Sequence, residues 1–276
     1  METKNSIQCE RCIIVPDVHQ DIAWVERVFE REQVMASNDS VVFLGDYFDS
    51  SKKPRKRAGV GETCEFLERT RAALGGRCVF LLGNHDIQYW EAKPICDAHR
   101  TPRHLHNRCG MSFSKSAAKK VASNLPLDFW TNARLFIAVN GWLLSHAGLA
   151  ACYWPQAETV ERSLEILQEN CVGALLMMRF GPQHLLAAGQ VRGGTAPVGG
   201  LTWQDWNDEF ADALPLPQIV GHTIDELAGA RANGRSWCID GGQSCYGMLT
   251  GQNFETRTIE RERELRRAER VREPEL

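Results

Sequence analysis

Five short apolar runs punctuate the chain: Ile13–Val15, Val41–Leu44, Val79–Leu82, Trp142–Leu144 and Ile219–Val220. Each is too short for a helix and stops at polar residues, the pattern of a strand buried on both faces. Between the first two, Ile22, Val25, Val28, Phe29 and Val34 keep roughly a 3.6-residue period over residues 21–35, which predicts a helix. Asn38-Asp39-Ser40 marks the turn into the second strand. Residues 50–61 read as polar loop, and Glu62 to Leu74 as a second helix closed by Gly75-Gly76. Strand, helix, strand, helix, strand in that order predicts a parallel sheet with helical crossovers.

Further along, the pattern loosens. Residues 87–132 are expected to form a helical insertion, with fragments around Trp90 and Ser116–Asn124 and a His- and Arg-rich stretch from Asp97 to Arg108. Leu135–Val139 and Trp142–Ser145 predict a hairpin through Asn140-Gly141, a strong two-residue turn signal. Helix is expected within Ala157–Arg179 and loop at the glycine-rich Gly189–Gly200. Trp237–Asp240, Met248–Gly251 and Phe254–Thr258 read as a closing antiparallel meander. The expected organisation is one domain over residues 1–256 and a charged tail, 257–276, that alternates Arg and Glu.

Composition changes this picture little. The 276 residues are 24% charged and 43% apolar with a formal net charge of −3, ordinary for a globular chain. That balance gives no basic footprint for nucleic acid or an anionic membrane. No stretch approaches the roughly 20 apolar residues of a membrane-spanning helix. The start, Met-Glu-Thr-Lys-Asn-Ser, lacks the apolar core of a secretory signal, so cytoplasmic residence is the default expectation. Cys9 and Cys12 make an isolated CxxC ahead of the first strand, without the second pair a zinc site needs. The other cysteines are scattered singly, and reduced, mostly buried thiols are expected.

The polar residues at the ends of the apolar runs are more telling. Asp17 and His19, Asp46, Asn84 with His85, His146 and His222 come directly after the five runs. Buried strands would deliver them to one sheet edge, where ligands bind in α/β proteins. Carboxylate, imidazole and amide oxygen form a ligand set for two divalent metals, better suited to manganese, iron or zinc than to calcium or magnesium. Such a pair needs a shared ligand, and Asp46, central among the motifs, is the choice. Asp17 and His19 can reach one ion only if the backbone turns between them. Asn84, His146 and His222 would complete the second site. His85 diverges from its neighbour Asn84 and can serve as general acid, with Asp49 or Asp86 as the carboxylate that orients it.

In these motifs the sequence resembles the calcineurin-like metallophosphoesterases, in the branch holding the phosphoprotein phosphatases and the symmetrical diadenosine tetraphosphatases. The family pattern of DxH, GDxxD, GNH(D/E), a later strand-borne His and a GH motif occurs in order over roughly residues 13–225. His146-Ala147-Gly148-Leu149 and Gly221-His222-Thr223 resemble the phosphatase branch, and position 224 is Ile rather than the second His of broader relatives. The resemblance implies an α/β fold, a four-layer α/β/β/α sandwich. It implies that Asp17, His19 and Asp46 hold one metal and that Asp46, Asn84, His146 and His222 hold the other. It matches His85 and Asp49 to the family's acid pair. One departure stands out: where the branch continues GDxxDRG, with the Arg clamping phosphate, this chain has Ser50 and Ser51. Lys52 and Lys53, followed by Arg55, Lys56 and Arg57, offer replacement charge, and Arg192 in a Val-Arg-Gly-Gly loop is a second candidate phosphate ligand.

The expected function is hydrolysis of a phosphomonoester, on a phosphoprotein or a nucleotide, by hydroxide bridging two divalent ions, manganese foremost. The alternative is cleavage of a dinucleoside polyphosphate. A non-enzymatic scaffold is disfavoured, because this chain keeps every expected ligand and the acid. The expected partner is a phosphorylated substrate; no membrane, nucleic-acid or obligate protein partner is indicated.

Overall fold

Two β-sheets face each other across a layer of aliphatic side chains, in a computed structural model that describes residues 5–50, 57–97, 113–178 and 180–259. The first sheet holds β2 (Arg11–Val15), β3 (Ser40–Phe43) and β4 (Cys78–Phe80), mutually parallel as the sequence predicts. Two antiparallel strands, β10 (Cys245–Thr250) and β11 (Asn253–Thr258), extend it in the order β11-β10-β2-β3-β4. The second sheet combines β1 (Ser6–Ile7), β5 (Phe136–Val139), β6 (Trp142–Ser145), β7 (Gln218–Val220), β8 (Arg231–Asn233) and β9 (Ser236–Cys238) in the order β1-β5-β6-β7-β9-β8. The crossovers of the first sheet are α1 (Ile22–Glu32) and α2 (Val60–Leu74). Further helices are α3 (Asn84–Asp97), α4 (Lys115–Asn124), α5 (Leu127–Asn132) and α6 (Val160–Met177).

Strand alternation sorts the core into layers. Ile13, Val15, Val41 and Phe43 pack with Trp24, Val25, Val28 and Phe66 of the helices. Their neighbours Cys12, Ile14, Val42 and Leu44 turn the other way, onto Ile137, Val139, Leu144 and Ile219 of the second sheet. Beyond that sheet, Phe136 and Leu143 join the cluster that contains Leu164 and Leu167 of α6. The fold is thus the expected sandwich of two sheets with helices outside. Asp21 caps α1 by accepting from Trp24 N at 3.2 Å. The predicted hairpin is present, with Asn140 and Gly141 at φ 51° and 87°, the left-handed pair such a two-residue turn requires.

Two expectations are corrected. The closing segments do not form one meander: β9 pairs with β7 and β8 in the second sheet, and the chain then crosses to the first sheet as β10 and β11. Alternation indicates which face of a strand is buried, not which sheet the strand joins. The chemistry-bearing residues accordingly gather from two facing sheets rather than along one sheet edge. The strand expected at Phe254–Thr258 is β11, and Arg257 near its end pairs with buried Glu32. The insertion is helical where described; its His-rich part, like Lys52, Lys53 and most of the tail, lies outside the described residues. Cys9, Cys12, Cys64, Cys78, Cys152, Cys171, Cys238 and Cys245 are free, and Cys152 is exposed. Among the described residues no helix is long and apolar enough to cross a membrane.

Candidate metal centre

The six candidate ligands arrive on loops that reverse direction as soon as each strand ends. His19, Asp46 and His222 all have positive φ, at 43°, 52° and 65°. With these turns Asp17, His19 and Asp46 bring ligand atoms within 4.8 Å of one another. The turns are held by main-chain bonds: His19 N–H donates to Asp46 O at 2.7 Å, and Gly221 N–H to His146 O at 2.7 Å. Crowding demands glycine at two positions. A Cβ on Gly83 would lie 2.0 Å from Asp46 Oδ1, and one on Gly221 would lie 2.2 Å from Asp17 Oδ1.

The donor atoms form two groups, Asp17–His19–Asp46 and Asp46–His146–His222, each with its ligand atoms within 4.8 Å of one another. Asp46 belongs to both. Asn84 joins the second group, its Oδ1 being 3.0 Å from His146 Nε2. The neighbours determine the tautomers. His146 Nδ1 lies 3.1 Å from Leu44 O, which can only accept, so Nδ1 carries the proton and Nε2 the lone pair. His19 Nδ1 is fixed in the same way by Phe48 O at 3.1 Å. The lone pair of His146 therefore points at acceptors, Asn84 Oδ1 and, at 3.5 Å, Asp46 Oδ2. His222 Nδ1 lies 3.2 Å from the same Nε2. Lone pairs facing one another are reconciled by a cation among them.

Electrostatics agree with that fit. Burial keeps the His146 imidazole below its ordinary pKa despite the nearby Asp46 carboxylate. Burial, then His146 and Arg192, hold His222 well below it. Both are thus neutral and chemically able to ligate a cation. Burial, with the carboxylates of Asp240 and Asp46, pushes Asp17 well up, a repulsion that bound cations relieve.

His85, the second residue of α3, stands beside this group, with its Nδ1 3.3 Å from Asp49 Oδ2 and its Nε2 4.0 Å from Asp46 Oδ2. Burial disfavours the imidazolium, but the carboxylates of Asp46 and Asp49 outweigh it and push His85 up to about 9. Asp49 also accepts from Gln88 Nε2 and Tyr89 Oη, which fix its orientation. Asp86, the other candidate partner of His85, is turned beneath the centre, where it accepts from Asp46, Tyr47 and Gly83 N–H at 2.6, 2.9 and 2.8 Å.

A sequence profile of the calcineurin-like phosphoesterases matches residues 11–223. The chain belongs to that family. It is therefore a hydrolase acting on phosphate esters. Among solved structures, a cold-active protein-tyrosine phosphatase of a psychrophilic Shewanella is similar with a TM-score of 0.57 and 14% identity, over 92% of this chain and 82% of that one. A protein serine/threonine phosphatase from Saccharomyces cerevisiae is similar with a TM-score of 0.50 and 12% identity, over 94% and 85%. At such identities the likeness is one of fold. No curated protein sequence matches the chain.

In this calcineurin-like phosphoesterase the centre lies at the floor of a cleft of about 860 Å³, whose walls include Arg57, Lys120 and Arg192. Arg192 is held by Asp205, 2.7 Å from its Nε, and donates from Nη2 to Thr223 Oγ1 at 2.9 Å. Trp203 also lines the cleft, its ring edge-on to His222 with centroids 5.6 Å apart. Trp206 is buried against Phe210, as core packing. Two cleft residues escaped the sequence reading. Asp240 follows the apolar Trp237-Cys238-Ile239 by the same strand-end rule that found the ligands. Gln243 carried no signal; it lines the cleft with φ 61° and donates to Asp17 O at 3.0 Å.

Proposed function

We propose that this phosphoesterase hydrolyses phosphomonoesters at a pair of divalent cations, manganese foremost, held by Asp17, His19 and Asp46 on one side and by Asp46, Asn84, His146 and His222 on the other. The sharing of Asp46 by two donor groups is the observation that carries the reading. Cations bound there would polarise water for attack at phosphorus and neutralise charge on the phosphoryl oxygens. The chain's own residues do the rest. Asp49 orients His85, whose proton goes to the departing oxygen. Arg192, stiffened by Asp205 and Thr223, takes a phosphoryl oxygen with its planar guanidinium.

The test is metal content and turnover measured together. Protein loaded with manganese should retain two ions per chain and hydrolyse a chromogenic aryl phosphate. Asp46→Asn should lose metal and at least about a hundredfold in kcat, since it removes the shared carboxylate. A panel of phosphopeptide, mononucleotide and diadenosine tetraphosphate then ranks substrates. Turnover confined to the last would replace the monoester reading by the polyphosphate one. Metal that never exceeds trace would overturn both.

A further inference from the structure

We propose that Cys9 is a modification site, a thiol open to hydroperoxides, and that Cys12 resolves its oxidised form as a disulfide. The site is separate from the phosphoesterase chemistry: Cys9 comes before β2, whereas Asp17 and His19 follow the other end of that strand. Cys9 lies between β1 of the second sheet and β2 of the first, and the chain bends at Glu10 as it passes from one to the other. Cys9 is half-buried, so a small oxidant can reach its sulfur, while Cys12 is fully buried. Asn140, in the hairpin turn between β5 and β6, frames the residue. Its Oδ1 accepts from Cys9 N–H at 3.0 Å, and its Nδ2 donates to Cys9 O at 2.8 Å and to Gly251 O at 2.7 Å. Those bonds fix the amide, and the same Nδ2 stands 3.9 Å from the Cys9 sulfur. A carboxamide that clamps a cysteine's main chain and turns its NH₂ toward the sulfur is a cradle for a thiolate.

The electrostatics of the pair divide the labour. Hydrogen bonding from Cys12, then from Ser40 and Asn140, outweighs burial and the Asp39 carboxylate and holds Cys9 down at about 6. Asp39 is itself paired with Arg11, 2.9 Å away. Contact with Cys9, and then burial, push the Cys12 thiol well up. Near neutral pH Cys9 is therefore the nucleophilic thiolate and Cys12 a thiol held in reserve. Burial moves Cys64, Cys78, Cys171, Cys238 and Cys245 the opposite way from Cys9, toward inert thiols. The chemistry balances in two steps. The Cys9 thiolate attacks the terminal oxygen of the hydroperoxide: an S–O bond forms, the O–O bond breaks, and the departing alkoxide or hydroxide takes a proton from water. The Cys12 sulfur then attacks the Cys9 sulfur: the S–S bond forms, the S–O bond breaks, and the Cys12 proton leaves with the hydroxyl as water. The two sulfurs are oxidised and the peroxide is reduced.

Peptide mapping by mass spectrometry on the full chain reads the site directly. In a pH series with iodoacetamide, the alkylation rate at Cys9 should halve only near pH 6. An ordinary thiol, by contrast, loses about tenfold in rate for each pH unit below its pKa of about 8.5. Hydrogen peroxide in slight excess at neutral pH should then give a Cys9–Cys12 disulfide that dithiothreitol reverses, with the exposed Cys152 left as thiol. Cys12→Ser keeps a hydrogen-bond donor but cannot close the bond, so the Cys9 sulfenic acid should persist there and be captured by dimedone. Cys12→Ala repeats that measurement should serine unsettle the buried position. A tenfold fall in Cys9 alkylation between neutral pH and one unit below overturns the proposal. Wild-type protein in which peroxide leaves Cys9 unlinked, or links it to a cysteine other than Cys12, does so too.

Discussion

Replacing Asp86 by asparagine separates the scaffold of the metal centre from its chemistry. Asp86 is fully buried, and one of its oxygens accepts from both Asp46 N–H and Gly83 N–H while the other accepts from Tyr47 N–H. An asparagine can set its single oxygen on the first pair. Its NH₂ then confronts the Tyr47 N–H, two buried donors with no acceptor between them. Losing that hydrogen bond and leaving buried donors unpaired costs about 2–4 kcal/mol. For a chain of this size 1 kcal/mol moves the melting midpoint by roughly 2–4 °C. Metal-free Asp86→Asn should therefore melt roughly 5–15 °C below wild type, followed by circular dichroism in the presence of a chelator. Because Asp46 and the backbone next to Asn84 shift with it, manganese affinity should fall roughly tenfold to a hundredfold by calorimetry. A variant that melts within a degree of wild type and binds manganese equally well would show that Asp86 does not pin these loops.

Three further outcomes are expected. His85→Ala should reduce kcat about a hundredfold to ten-thousandfold for an alkyl phosphate and much less for a nitrophenyl phosphate, whose leaving group needs no proton; equal losses for both would remove His85 from the acid role. In the metal-free protein the His85 imidazole should hold its proton below a pH of about 9 and lose it above, and Asp49→Asn should bring that titration down, as read by NMR of the ring. Glu32 is a stability device: burial opposes its charge, but Tyr246, Arg257 and Arg11 outweigh that and lower its pKa. A lowered folded-state pKa stabilises above the ordinary carboxylate range and ceases to do so as pH falls through the folded value. Glu32→Gln should thus cost about 2 kcal/mol at pH 7, a figure reduced because both arginines are partly exposed. The difference from wild type in denaturant titrations should narrow as the pH drops below about 4.

The parallel core of the first sheet was legible because β2 and β3, buried on both faces, have no polar side to offer solvent. The strand-end rule reached Asp17, Asp46, His146 and His222 for the same reason. It did not distinguish Asp49 from Asp86 as partner of His85, since both lie within a few residues of a motif. Helix geometry makes the distinction. Asn84 opens α3, and successive helical residues turn about 100°, so Asp86 points roughly opposite to Asn84 and away from the cleft. Asp240 obeyed the rule and was missed, because its strand read as part of a meander. Arg57 was legible only as part of a basic run; its contact with Gln243, 186 residues away, arises through tertiary folding.

The backbone itself accounts for the convergence of the donor atoms. Among the described residues eight non-glycine positions have positive φ, and six of them, His19, Gln20, Asp46, Asp49, His222 and Gln243, line the cleft. Gln33 ends a helix and Asn140 makes a hairpin turn, so the remaining strain is concentrated at the centre. Each such residue costs about 1–3 kcal/mol. The bonds that offset this run between loops: Gln20 N–H to Tyr47 O at 3.0 Å within the first sheet's loops, and His222 N–H to Asp17 Oδ1 at 3.0 Å across the two sheets. The last bond uses a ligand's own side chain to anchor another ligand's main chain. Geometry set in this way is fixed by the fold's own hydrogen bonds, which hold the two donor groups relative to one another through the main chain.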